Sequence, residues 1–148
     1  MKKSLLFAVS LLVLIAATGS AFAQSTNRDH PTPLRSDEIR GELNGDEIEY
    51  FYSFTAGPGE LTITVDVKSS DGTTGINFEL LDSDANKQLL CCEFAQADST
   101  GTSGRDVKSI KLGKRQTVIL HLTPFKYGKG TYRVRFSGAV ALAEHGQR

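Results

Sequence analysis

Few side chains in this sequence have the types and spacing that chemistry needs. Asp82, Asp84 and Asn86 alternate as D-x-D-x-N, and Glu93 is the twelfth residue counted from Asp82. Calcium collects about six to eight hard oxygen ligands, and alternating carboxylates on a loop supply several of them. An EF-hand loop, however, requires glycine at its sixth position, where this chain has Lys87, and its flanks read as strands. Asp and Asn also populate plain turns, because their side chains hydrogen-bond the nearby backbone. Asp82, Asp84 and Asn86 are therefore the calcium candidates, with an ordinary turn as the competing reading; no other cofactor is implied.

Cys91 and Cys92 are adjacent and are the only cysteines. In a regular strand they point to opposite faces, so a bridge between them demands a distorted backbone. Two exposed free thiols do not persist in an oxidising compartment. Three readings stay open: a vicinal bridge, an intermolecular bridge through one cysteine, and a buried thiol that packs as a small hydrophobe. A redox role has little support, since C-x-x-C spacing and a thiolate-stabilising context are both missing. The histidines are His30, His121 and His145. The first and last fall in expected tails, and His121, between Leu120 and Leu122, is expected on the exterior of a strand. Nothing in the spacing brings it to Cys92. Neither G-x-S-x-G nor H-E-x-x-H occurs, so no catalytic residue is assigned and no enzyme is expected.

The segment Pro124 to Lys129 offers binding chemistry. Phe125, Lys126, Tyr127 and Lys129 put two aromatics and two cations on one short loop. Aromatics present flat contact area, and loops on a rigid scaffold often carry function. The alternative is that both rings fold back to close the open end of the core, since large aromatics are usually buried.

The elements that position these residues read as strands. Leu61, Ile63, Val65 and Val67 alternate with Thr62, Thr64, Asp66 and Lys68, the period of two of a half-buried strand. The same alternation appears at Tyr50, Tyr52 and Phe54, at Ile76, Phe78 and Leu80, at Val118, Leu120 and Leu122, and at Tyr132, Val134 and Phe136. With 38–43, 87–94 and 106–112 added, eight short strands are expected: 38–43, 47–55, 60–68, 76–81, 87–94, 106–112, 116–123 and 131–137. Asn44-Gly45-Asp46 and Gly57-Pro58-Gly59 read as breaks between them. Many short strands with one polar face predict an all-β, antiparallel, two-sheet jelly-roll-like sandwich.

Upstream, Lys2 and Lys3 precede an apolar run from Leu5 to Ala17, interrupted by Ser10, and Ala21-Phe22-Ala23 follows. A basic start, a short apolar core and an A-x-A end are what a signal peptidase reads. The core has thirteen residues, short of the roughly 20 that span a bilayer. Cleavage is expected after Ala23, leaving a periplasmic or secreted chain from Gln24, a flexible leader over 24–36, the domain over 37–138 and a tail over 139–148. The whole chain carries 17 basic and 17 acidic residues; without Lys2 and Lys3 it carries 15 and 17. No basic bias remains to attract nucleic acid or anionic lipid.

The segments Ile39-Arg40-Gly41-Glu42-Leu43, Asp46, Tyr50-Phe51-Tyr52-Ser53-Phe54 and Gly57-Pro58-Gly59-Glu60-Leu61-Thr62-Ile63 resemble the start of bacterial pre-peptidase C-terminal domains. Phe78-Glu79-Leu80-Leu81-Asp82-Ser83-Asp84 resembles their middle strand and acidic turn, and Gly130-Thr131-Tyr132-Arg133-Val134-Arg135-Phe136-Ser137-Gly138 their closing strand. The resemblance spans about Asp37 to Gly138. It implies a β-sandwich of the kind appended to secreted peptidases, non-catalytic, with some relatives binding calcium and some binding extracellular polymers. Where some calcium-binding relatives place paired aspartates, this chain has Gly75-Ile76-Asn77. Together these readings point to an exported module that binds a protein or a cell-envelope polymer, with a calcium-stabilised accessory domain and a thiol protein as alternatives.

Overall fold

A computed structural model describes residues 24–97, 102–125 and 127–142. The expected signal peptide, Lys126 and the end of the tail lie outside the described residues. Every regular element among those residues is a strand: β1 (Thr32–Pro33), β2 (Glu38–Leu43), β3 (Tyr50–Asp71), β4 (Thr74–Asp82), β5 (Gln88–Ala97), β6 (Ser103–Leu112), β7 (Gln116–Pro124) and β8 (Lys129–Ala141).

The strands form one hydrogen-bonded system that folds over along β3 into two layers. The first half of β3 pairs with β7, which continues through β4 to β5, and β1 lies parallel on the other side. The second half pairs with β8 and β6, and β8 continues to β2. All pairings except β1–β3 are antiparallel. The inward side chains of both layers form one core. It holds Tyr52, Phe54, Phe78, Leu80 and Leu120 from the first layer, and Leu61, Ile63, Val65, Val134 and Phe136 from the second. Phe54 and Phe136 meet across it with ring centroids 5.0 Å apart. This is the sandwich that period-two alternation requires.

β5 runs on to Ala97 instead of 94 and β6 starts at Ser103 instead of 106, and three further boundaries differ from the sequence reading. The expected strands 47–55 and 60–68 merge into one, β3, which starts at Tyr50 and leaves 47–49 outside any strand. Gly57 and Gly59 take positive φ (79° and 125°), and the register against β8 shifts between Ala56 and Leu61. The glycines therefore bend the strand from one layer into the other without ending it. The leader is laid down on the first layer: Thr32 and Pro33 pair with Tyr52 and Ser53, Ser25 bridges to Phe51, and Leu34 is buried. Gln24 Nε2 donates to the Tyr132 hydroxyl at 3.3 Å, and burial lifts the Tyr52 and Tyr132 phenols above the ordinary tyrosine range. One apolar residue and an open strand edge were enough to order a polar segment. The expected tail begins late, because β8 runs on to Ala141 against Thr55 and Ala56.

The open edge between β5 and β6 carries inward charges. Lys108 Nζ lies 2.7 Å from Glu93 Oε2, joining the two layers. Charge turned inward at a sheet edge discourages pairing with another chain.

Candidate functional site

The outer face of the first layer brings together most of the chemically capable side chains. Strand register orders them in rows running from β5 through β4 to β7. Gln96 stands opposite Gly75, whose carbonyl accepts the Phe125 N–H at 2.9 Å. In the next row Phe94 faces Asn77, and Asn77 faces Thr123. In the row after that, Glu79 faces His121, and His121 faces Phe51 of β3.

Cys91 and Cys92 complete that last row at a β-bulge. Phe78 pairs with Glu93 and Leu80 with Leu90, so two residues of β5 stand against Glu79 alone. Cys92 has φ 63°, a left-handed conformation that is uncommon outside glycine. The bulge suspends the strand's alternation, and the two cysteines form a vicinal disulfide there. Cys91 is half-buried and Cys92 exposed, so neither is a buried thiol packing as a small hydrophobe.

His121 is held on three sides. Its ring stacks on Phe51 at a centroid distance of 4.4 Å and 5° between planes. Nδ1 lies 2.6 Å from Glu79 Oε1; Nε2 lies 3.2 Å from Thr123 Oγ1 and 3.3 Å from Glu49 Oε2. Gln88 Nε2 donates to the other Glu79 oxygen at 2.5 Å. Beneath this row Phe51, Leu81 and Ile119 form a small apolar cluster outside the main core. Asn77, Glu79, Cys92, His121 and Thr123 line a shallow depression of about 320 Å³. Backbone groups of β4 and β7 around the depression are engaged in the β3–β7 and β4–β7 ladders. The arrangement offers hydrogen bonds and flat apolar area.

The other candidates from the sequence are placed as follows. Phe125 is half-buried with its ring over Gly75; a Cβ there would approach ring carbon Cε2 within 2.7 Å. Tyr127 is 74% exposed and Lys129 is exposed, so the two aromatics of the loop part company. Lys126 lies outside the described residues. Asp82 Oδ1 accepts the N–H groups of Asn86 (2.9 Å) and Lys87 (3.2 Å), while Asp84 pairs with the Ser83 hydroxyl at 3.2 Å. Asp82 thus engages its own turn. No group of three or more His, Cys, Asp or Glu among the described residues is gathered to hold a metal ion.

Sequence reasoning missed Phe94, Asn77, Glu79 and Thr123. Ala95 and Ala97 are buried and place Phe94 and Gln96 outward, a phase set by the bulge that alternation in the sequence does not reveal.

No protein-family model and no curated protein matches the sequence. Among solved structures, the chain is similar to the pre-peptidase C-terminal domain of a collagenase from Bacillus anthracis, at 20% identity and TM-score 0.42 over 73% of this chain and 93% of that one. It is also similar to a carbohydrate-binding module of Cellvibrio mixtus lichenase 5A in complex with cellotriose, at 12% identity and TM-score 0.41, covering 79% and 97%. A third is a periplasmic inhibitor of g-type lysozyme from Aeromonas hydrophila, at 15% identity and TM-score 0.38, covering 70% and 88%.

Proposed function

We propose that the protein is an exported, non-catalytic module that binds a cell-envelope glycan on the outer face of β5, β4 and β7. One observation carries this reading. Two aromatics, Phe94 and Phe125, flank the amide of Asn77 and the hydroxyl of Thr123 on a rigid sheet, and the carboxylate and imidazole of Glu79 and His121 lie in the adjoining row. Ligand sites combine apolar area with a few placed polar groups. Phe94 and Phe125 lie two strands apart and two residues out of step, so their Cα atoms are about 12 Å from one another. A sugar chain laid between them stacks ring faces on phenyl rings and offers its hydroxyls to Asn77 and Thr123, with Glu79 in reach at the margin of the same face. The disulfide at the bulge fixes the wall on the β5 side.

A protein partner is the second reading, favoured by Tyr127, which stands 74% exposed on the adjoining β7–β8 loop. The deciding experiment is co-sedimentation of the exported protein with purified peptidoglycan sacculi. Depletion from solution that is lost on replacing Phe94 supports the glycan reading. No depletion, together with capture of an envelope protein through Tyr127, supports the second.

A further inference from the structure

The outer face of the second layer carries a different chemistry, and it lies on the other side of the sandwich from the aromatic face. Register across β2, β8, β3 and β6 builds the row Arg40, Arg133, Asp66, Arg105. Arg135 stands one row away, opposite Thr64, and Lys68 one row away on the other side, opposite Thr131. Arg40 and Arg133 are directly opposed, an arrangement of like charges that destabilises a sheet. Two carboxylates partly offset it. Glu38 accepts from Arg40 and lies 3.9 Å from Arg133. Asp66 accepts from Arg105 at 2.5 Å, Arg135 at 2.9 Å and Arg133 at 3.5 Å.

The balance of donors is lopsided. Four guanidiniums bring about twenty N–H groups, roughly five apiece, and Glu38 and Asp66 take four of them. Arg40 and Arg105 are 70% and 58% exposed, whereas Asp66 is 16% exposed. The carboxylate is thus sunk among cations that reach past it to solvent. A depression of about 410 Å³ opens beside it, with Arg40, Lys68 and Arg133 on its rim. Guanidinium is the side chain suited to forked recognition of planar or tetrahedral anions.

We propose that this face is a second binding site, for an acidic polysaccharide. The row spans three strand spacings, about 14 Å, on a rigid sheet, which suits a polyanion whose charges repeat along a chain. Single-stranded nucleic acid is bound by stacking on aromatics, and the aromatics of β8, Tyr132 and Phe136, are buried in the core, while those of β3 lie in its first half, in the other layer. An anionic membrane is met by apolar insertion beside basic residues; here Glu38, Glu42 and Asp66 interleave with the cations.

The test is isothermal titration of the exported protein with polygalacturonate at low and physiological salt. Saturable binding is expected, weakened at least tenfold in Arg40→Gln/Arg133→Gln and only partly in Arg40→Lys/Arg133→Lys, which keeps the charge and loses the fork. Phe94→Ala is expected to bind polygalacturonate as the parent does, separating this face from the glycan face. Thermal melts confirm that each variant is folded. The proposal is overturned by absent binding at low salt, or by equal affinity in the folded Gln double variant. Equally tight binding to phosphatidylglycerol vesicles or to a single-stranded oligonucleotide overturns it too, because the face would then select charge alone.

Discussion

Replacing Phe94 with alanine separates binding from folding. A phenylalanine presents on the order of 200 Å², and Phe94 keeps 55% exposed, leaving about 110 Å² for a ligand to cover. A sugar stacked on one ring face removes about half of that, and at ~25 cal/mol per Å² the loss is about 1.4 kcal/mol. That is a tenfold rise in Kd. Because the ring is mostly outside the core, the folded state should lose no more than about 0.5 kcal/mol. The assay is a depletion isotherm on peptidoglycan sacculi at fixed salt, run beside a thermal melt. Phe125→Ala is the contrast: its ring covers Gly75, so both binding and melting temperature should fall. An unchanged isotherm for a folded Phe94→Ala protein would refute the placement of the ligand.

Four further outcomes follow from the geometry. Asp82→Ala should cost about 1 kcal/mol by freeing two backbone N–H groups, equally in chelator and in millimolar calcium; a deficit confined to calcium would make Asp82 a metal ligand. Alkylation followed by mass measurement should label no thiol before reduction and both Cys91 and Cys92 after it, and a disulfide dimer on a non-reducing gel would contradict the vicinal bridge. Leu34→Ala should destabilise by about 2 kcal/mol, since the side chain is buried against the sheet; a neutral result would mean that the leader is undocked in solution. Partial burial opposes ionisation of Asp66, but hydrogen bonds from Arg105 and Arg135, and their charges, hold its carboxyl below the usual range. A depressed folded value stabilises the native state above the unfolded pKa and loses that stabilisation as pH falls through the folded value. Asp66→Asn should therefore trail the parent in melting temperature at neutral pH and converge with it below about pH 4; a gap that persisted in acid would refute the electrostatic account.

Period-two alternation made the sandwich legible from sequence, because one buried face leaves its mark on every other residue. β2, β4 and β7 fell within one or two residues of their expected bounds for that reason. Three features were not legible. The bend at Gly57 and Gly59 reads in sequence like an end, since the same residues that stop a strand also let it turn a corner. The leader is polar, and its order rests on an edge of β3 that only the fold reveals. The sites are legible only through register, for neither Phe94 and Phe125 nor Arg40 and Arg105 are near in sequence; cross-strand pairing aligns them.

The bulge at Cys91 and Cys92 ties these observations together. Leu90 pairs with the inward Leu80. Strict alternation from there would turn Cys92 and Phe94 inward and expose Ala95, because a one-residue slip moves every following side chain to the other face. The structure has the opposite arrangement: Ala95 and Ala97 are buried and Phe94 is exposed. The extra residue in β5 makes the difference, and it sits where the two cysteines are joined. A bridge between neighbours spans the second of two register shifts in β5, the one nearest Phe94, which presents Phe94 to solvent beside Asn77. On this account the disulfide needs no redox chemistry to be functional, because what it fixes is the phase of the strand that carries the aromatic platform.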